Sequence, residues 1–391
     1  MNGLAPRRPR GTDPVKLRIL VCARHPVGGI RTFLRYVHAR LDPTRYEVSL
    51  VLPESAEQEA IRSDFSAHLP AFFFVPSNTS LVRLVLRLLQ AVLFQKPHVI
   101  HSQGLTAGVC ASVAAMLTRT PHVMTLHDVF LPPMFRGFTG YLKHLMLSLF
   151  LRLPQKIHCV SQDVRENLLE FFPGQKKNGS RVVVIFNGID VERFANVTPR
   201  DIRSQLGLMP DTFLLGFFGR FMSQKGFKYL VDAVGLLVKG FTLPRPFLVL
   251  TFSNDGFYRE EQARVRELGL EPYFRFLPFE PNIAPILHDL DAVAIPSLWE
   301  ACPLVPMEAM VAGAPVIGTD CIGLREVLAK TPSRICPAKD SVALAEAIQS
   351  EMLNSTKSEA AIFKQEAAGR FDVRERANEI ETLLRGLAGL S

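Results

Sequence analysis

From Leu17 onward the chain alternates short, unbroken apolar runs with longer amphipathic stretches. The first such run is Leu17 to Ala23, LRILVCA, and Tyr46 to Leu52, Phe72 to Val75, Val99 to His101, Val123 to Leu126, Lys156 to Val160 and Val182 to Ile185 follow. Continuous apolar strands, as opposed to alternating ones, belong to parallel sheets covered on both faces. Helical patterns fill most of the gaps; Ile30 to Leu41 is the first. The pattern then restarts at Phe213 to Phe218, FLLGFF, with further runs at Phe247 to Phe252, Tyr273 to Leu277, Ala292 to Pro296, Val316 to Gly318 and Ser333 to Cys336. Strand and helix in alternation predict an α/β chain of two Rossmann-like, doubly wound domains. The break falls near Asn196 to Arg203, which contains Pro199. The expected organisation is a basic tail over 1–15, an N-terminal domain over 16–195, a C-terminal domain over 196–372 and a last amphipathic helix within 373–391, packing back on the N-terminal domain. Ligands of open α/β sheets bind beyond the carboxyl ends of the strands. The two domains are therefore expected to face a shared cleft.

Composition excludes several classes. A hydrophobic fraction of 48% with 21% charged residues is that of a globular protein. No apolar run approaches the ~18 residues of a membrane span. The Pro- and Arg-rich segment Met1 to Lys16 leads into a strand and does not read as a secretory signal. Six scattered cysteines form no CxxC pair, and Cys22, Cys110 and Cys159 sit in apolar segments. Buried thiols in a reducing, cytoplasmic setting are expected. The sequons at Asn78, Asn178, Asn196 and Asn354 are read as chance.

Charge is unevenly placed. Residues 1–200 hold 25 basic and 13 acidic side chains, a net +12; residues 201–391 hold 20 and 24, a net −4. A basic half suits phosphorylated ligands or an anionic membrane. No zinc-finger spacing or RNP motif supports nucleic acid. Leu81 to Phe94 and Tyr141 to Arg152 are heavily apolar with interspersed cations, including Arg83, Arg87, Lys143 and Arg152. Such helices can lie in a bilayer interface. Packing against the sheet is the preferred expectation for both.

Chemistry concentrates after the strand Ala292 to Pro296, in Ser297-Leu298-Trp299-Glu300-Ala301-Cys302-Pro303-Leu304-Val305-Pro306-Met307-Glu308. Pro303 suits a helix start and Gly313 its end. A helix N-terminus attracts anions. Pro303 and Pro306 lack an amide hydrogen, which leaves Leu304 and Val305 to meet a phosphate. Glu300 in the loop and Glu308 on the helix can accept sugar hydroxyls. The segment resembles the E-x7-E signature of the retaining glycosyltransferases of family four, on the GT-B fold. The likeness continues through Val311 to Ile317 and Gly323 to Val327. It implies that Glu300 contacts the donor sugar and Glu308 the ribose.

Gly219-Arg220-Phe221 with Lys225-Gly226 follows the strand FLLGFF. A guanidinium and an ammonium five residues apart suit a diphosphate. The block is similar to the family's G-R-x4-K-G, which implies that Arg220 and Lys225 hold the donor diphosphate. Gly28-Gly29 after the first strand allows close backbone approach and is similar to the family's glycine-rich loop near the donor phosphates. Asn187-Gly188-Ile189-Asp190 resembles another landmark, of structural role. Two histidines, His101 and His127, are expected after strands, and His127 resembles the family histidine that points at the donor sugar. Asp289-Leu290-Asp291 matches the D-x-D of a different glycosyltransferase fold, but stands at the wrong end of its strand.

The resemblance implies transfer of a hexose-type sugar from a nucleoside diphosphate to an acceptor hydroxyl, with retention. The acceptor is a glycan, a lipid-linked molecule or a small molecule. No metal and no cofactor beyond the nucleotide sugar are expected. The expected partners are the nucleotide sugar, the acceptor and, peripherally, an anionic membrane on the cytoplasmic face, with no nucleic acid. The alternatives are a GT-B nucleotide-sugar epimerase or isomerase and an inactive binding subunit. One departure is Phe252-Ser253-Asn254-Asp255-Gly256, with a single glycine where the family often has several.

Overall fold

The computed structural model describes residues 16–54, 58–68, 71–240 and 243–389. The basic tail expected over 1–15 lies outside them. The first sheet is built from β1 (Leu17–Ala23), β2 (Tyr46–Pro53), β3 (Ala71–Val75), β4 (Val99–Gln103), β5 (His122–Leu126), β6 (Lys156–Cys159) and β7 (Val182–Val184). Its strand order is β3-β2-β1-β4-β5-β6-β7. The second is built from β8 (Phe213–Phe217), β9 (Phe247–Phe252), β10 (Phe274–Leu277), β11 (Ala292–Ile295), β12 (Val316–Thr319) and β13 (Arg334–Cys336). Its order is β10-β9-β8-β11-β12-β13. The described registers are parallel: Leu17 lies opposite Tyr46, Ile19 opposite Val99, Phe213 opposite Phe247 and Ala292 opposite Leu215. The apolar runs form central strands because both faces are covered; every residue of β8, β9 and β11 is buried.

Each sheet has one place where the winding reverses. In the first it lies between β1 and β4, and in the second between β8 and β11. Successive connections leave such a point in opposite directions, so the loops diverge and open a crevice. The Gly28-Gly29 loop follows β1, and the two motif loops of the second sheet follow β8 and β11. The sequence pattern thus delivered its motifs to the positions where this topology binds ligands.

Contacts divide the chain into two compact units. One runs up to Met124 and includes Leu153–Gln155 and the chain from Glu381; the other holds Thr125–Arg152 and Lys156–Ile380. The helix Gln162–Phe171 belongs to the second unit, a different grouping from the boundary expected at 195/196. In the first unit the end of the last helix, Val373–Leu387, is tied to β2: the Tyr46 hydroxyl donates to Glu381, and Arg385 donates to the same hydroxyl at 3.3 Å. In the second unit Phe217 of β8 packs with Phe221 and Phe227, the Phe217 and Phe227 rings tilted with centroids 4.8 Å apart. All six cysteines are buried and free.

Two expectations need correction. The helix expected over 30–41 is an α-helix only over Gly29–Phe33 and continues as a π-turn, Leu34–His38. The wider turn ends on His38, which is fully buried and bonds His101 at 2.9 Å. His101 itself lies inside β4, and so belongs to the core instead of a loop. The helices Leu81–Gln95 and Gly137–Phe150 pack by one face only. The first buries Leu84, Leu88, Ala91 and Val92, and the second buries only Gly140 and Leu147.

Three imidazoles are buried in the neutral form. Burial holds His38 and His122 down to about 3 and His158 to about 4. In the unfolded chain each takes a proton below about 6.5. Their contribution is therefore complete above pH 6.5 and is lost as pH falls toward 3 to 4. At pH 5 the loss is roughly 2 kcal/mol per imidazole. Urea unfolding at pH 7.5 and pH 5 should differ by several kcal/mol. A profile that is flat between these two values contradicts this account.

Candidate active site

The two motif loops of the second unit meet backbone to backbone. Gly226, at φ +65°, has no room for a side chain: a Cβ there would stand 1.9 Å from the Pro296 carbonyl oxygen. Only glycine tolerates both that angle and that approach. Beside this contact the Leu298 amide donates to the Gln224 carbonyl at 2.8 Å, and the Gln224 side chain donates to the Trp299 carbonyl at 2.9 Å. The loops are thereby held in one register, and their charged groups converge. Lys225 Nζ donates to Glu300 Oε1 at 2.7 Å, Ser297 Oγ donates to the same oxygen at 2.7 Å, and Gln224 Nε2 reaches Oε2 at 3.4 Å. Glu300 is 5% exposed. A carboxylate so buried is tolerable because an ammonium and two polar groups surround it.

The same loop is fastened from its other side. Thr319 Oγ1 donates to the Ser297 carbonyl, and the Glu300 amide donates to the Ile322 carbonyl at 3.0 Å. Ser161 Oγ donates to the Ala301 carbonyl at 2.7 Å, and Asn187 Nδ2 to that of Cys302 at 3.2 Å. Gly323, at φ +78°, packs against the Glu300 carbonyl, 2.2 Å from where a Cβ would be. Around it runs a reciprocal lock. Asp163 accepts from the Gly323 amide at 2.7 Å and from Arg325 at 2.6 Å. Glu326 in turn accepts from the amides of Gln162 and Asp163, at 3.2 and 3.0 Å. These amides open the helix Gln162–Phe171, where negative charge is favoured. Burial raises the Glu326 carboxyl, and the Asp163 bond raises the Arg325 guanidinium.

Ser297, Gln224, Ser161 and Asp163 were not among the sequence-derived site residues. Ser297 and Gln224 adjoin the motifs, and their polarity at a strand end was the available signal. Ser161 and Asp163 read as an ordinary helix start. Their partners lie some 140 and 160 positions away, so no local pattern could reveal them.

The remaining candidates fall as follows. Arg220 is half-exposed, with Asp255 3.9 Å away. Asp255 comes from the loop after β9, whose single glycine, Gly256, packs on the Phe221 backbone. The helix Leu304–Ala312 starts after Pro303 with no side-chain cap, so Leu304 and Val305 supply its first amides. Glu308 is half-buried on that helix. His127 is half-buried in the loop after β5. Gly28 and Gly29 are exposed in the first unit, with open space around both. The Asp289 and Asp291 carboxylates both pair with Arg203, and Asp291 also accepts the Leu214 amide at 2.8 Å. Among the described residues no group of three or more His, Cys, Asp or Glu is arranged to hold a metal ion. Burial pushes the Cys302 thiol up to about 12, which removes it as a nucleophile. Gly188 of the Asn187-Gly188-Ile189-Asp190 segment packs on the Val373 backbone, and Ile189 exchanges backbone bonds with Phe371 and Val373.

Comparison with known proteins places this arrangement. A family model described as Glycosyl transferases group 1 matches residues 212–354, and one described as Glycosyltransferase Family 4 matches residues 27–193. A curated relative from Escherichia coli, UDP-Gal:alpha-D-GlcNAc-diphosphoundecaprenol alpha-1,3-galactosyltransferase, is 24% identical over 71% of this chain and 74% of its own length. The D-inositol 3-phosphate glycosyltransferase of Corynebacterium urealyticum is 29% identical over 55% of this chain, which spans about half (53%) of that relative. Among solved structures, Anabaena HepE in complex with UDP and glucose superposes with a TM-score of 0.77 at 23% identity, covering 95% of this chain and 100% of that one. Sucrose-phosphate synthase from Thermosynechococcus elongatus gives 0.76 at 18% identity, covering 96% and 100%. The fold is GT-B.

The glycine contacts make a graded prediction. Gly323→Ala must both strain a left-handed backbone and displace the Glu300 carbonyl, at a cost of about 2–3 kcal/mol. Gly269→Ala, at φ +67° on the turn after a helix with nothing within 4 Å, has only the backbone term, about 1 kcal/mol. Urea unfolding of the two variants measures the difference. Equal losses contradict the contact.

Proposed function

This chain belongs to the group 1 glycosyl transferases of glycosyltransferase family 4, and from that premise we propose that it moves a hexose-type sugar from a nucleoside diphosphate to an acceptor hydroxyl, with retention and without a metal. The observation that carries the reading is the 2.7 Å contact between Lys225 and Glu300. It joins the residue assigned to the diphosphate with the residue assigned to the sugar, as one donor molecule requires.

The chemistry follows from what these groups have left to give. An ammonium has three N–H donors. Lys225 spends one on Glu300 and keeps others for phosphate oxygens. Arg220, loosely held by Asp255, supplies a planar fork for the same diphosphate. The amides of Leu304 and Val305 add the positive end of a helix. Glu300 Oε2 retains capacity for a sugar hydroxyl, and Glu308 takes the ribose hydroxyls. His127 is assigned to the sugar, and Gly28 and Gly29 to the donor phosphates, by family resemblance. In the transfer the bond from the anomeric carbon to the phosphate oxygen breaks as the acceptor oxygen bonds to the same face of that carbon. The acceptor proton passes to the departing phosphate. Lys225 and Arg220 stabilise the charge that develops on that group. Glu300, already accepting from an ammonium and a hydroxyl, is a poor nucleophile, which favours this path over a covalent intermediate.

The names of the relatives guide the choice of substrates. The Escherichia coli relative takes UDP-Gal and a diphosphoundecaprenol-linked sugar, and HepE was solved with UDP and UDP-glucose. Uridine diphosphate sugars are therefore the first donors to test, and a lipid-linked sugar the first acceptor.

A panel of nucleotide sugars scored by thermal shift should contain at least one that raises the unfolding temperature. Lys225→Ala should weaken that donor by at least about tenfold and lower kcat/KM by about a hundredfold or more. Glu308→Ala should weaken the same donor by about tenfold. Product NMR should show the anomeric configuration of the donor, and chelator should leave the rate unchanged. Full activity in Lys225→Ala, or an inverted product, contradicts the proposal.

A further inference from the structure

The helix Gly137–Phe150 presents a face that the transfer reaction does not use. Phe138, Tyr141, Leu142, Leu145, Met146 and Leu149 are exposed by 44 to 82%. Their spacing from Phe138 is 3, 4, 7, 8 and 11 residues, which is one continuous stripe along an α-helix. A stripe of this width ordinarily faces a core. Here the opposite face is the anchored one. His144 Nε2 donates to the Phe171 carbonyl at 2.7 Å and its ring stacks on Phe172 with centroids 4.8 Å apart. Gly140 lies against the Phe135 backbone so closely that a Cβ would meet it at 2.3 Å. The helix is thus fixed from behind, with its apolar stripe turned to solvent.

Contiguous exposed apolar surface marks a docking site for a protein or a membrane, and charge decides between them. From Val129 to Gln162 the chain has no Asp or Glu, but it has Arg136, Lys143, Arg152 and Lys156. Lys143 is exposed beside the stripe, and Arg136 and Arg152 are exposed at its two ends. Long cationic side chains around an apolar stripe reach lipid phosphates while the stripe enters the acyl boundary. Tyr141 within the stripe suits the same boundary. A helix of 14 residues is about 21 Å long and cannot cross a ~30 Å hydrocarbon core. Among the described residues no helix is long and apolar enough to do so. We propose that Gly137–Phe150 lies flat on the surface of an anionic lipid bilayer, with its Phe138–Leu149 stripe inserted and its flanking cations on the headgroups. The helix Leu81–Gln95 of the other unit has the same character, with Val82, Leu86 and Leu93 exposed and Arg83 beside them.

Co-sedimentation of the full chain with phosphatidylcholine vesicles, with and without phosphatidylglycerol, tests this. Neither donor nor acceptor is needed, so the result is independent of the transfer reaction. The chain should bind the anionic vesicles, and binding should weaken at high salt. Leu145→Glu combined with Leu149→Glu should reduce binding by about tenfold or more, with an unchanged urea midpoint. Lys143→Glu, which leaves the apolar stripe intact, should also reduce binding to the anionic vesicles and should lessen the difference in binding between low and high salt. Absence of vesicle binding by the unaltered chain overturns the proposal, as does equal binding by the folded double variant. A dimer that these substitutions dissociate, in a chain that ignores vesicles, makes the face a protein interface and overturns it as well.

Discussion

The closure of the β8 and β11 loops on one another, Gly226 against Pro296 and Lys225 on Glu300, is the contact on which the site depends. Each half explains the other. Without the glycine the loops could not approach, and without the approach the ammonium would not reach a carboxylate 75 residues further on. A buried carboxylate with no partner would be expelled or neutralised. With Lys225, Ser297 and Gln224 around it, both Glu300 carboxylate oxygens have partners, and the side chain is fixed at a strand end. Electrostatic catalysis requires this condition, because groups aimed in advance need no reorganisation when charge develops.

The fastening of the loop from behind extends the same logic. Carbonyls of Ser297, Trp299, Ala301 and Cys302 each accept a side-chain donor, from Thr319, Gln224, Ser161 and Asn187. Irregular backbone near a sheet edge is ordinarily mobile because its polar groups bond to water. Here protein groups replace that water. The lock of Asp163, Gly323, Arg325 and Glu326 binds the loop's neighbour to the helix Gln162–Phe171. Positioning of Glu300 therefore depends on residues far outside its own loop.

Much of this was legible in the sequence. Strands declared themselves as buried apolar runs, and the motifs were local enough to be quoted as words. The family resemblance assigned roles to Glu300, Glu308, Arg220 and Lys225, and of these the structure brings Lys225 and Glu300 into contact. What was hidden was long-range or directional. The pairing of Asp163 with Arg325 joins positions 162 residues apart, with no local trace. His101 looked like a loop residue because the apolar run stops there, yet β4 continues to Gln103 and buries the ring against His38. The helix Gly137–Phe150 has the periodicity of a core helix, and periodicity gives a stripe without saying which way it points. Only the contacts of His144 and Gly140 show that its apolar face looks outward.

A double-mutant cycle on Lys225 and Glu300 tests the central contact most directly. Unfolding free energies of Lys225→Met, Glu300→Gln and the pair should show a coupling of about 1.5–3 kcal/mol, the range of a charge-assisted hydrogen bond. Strictly additive losses would mean that the two loops do not meet as described, and the donor site built on their meeting would fall with them.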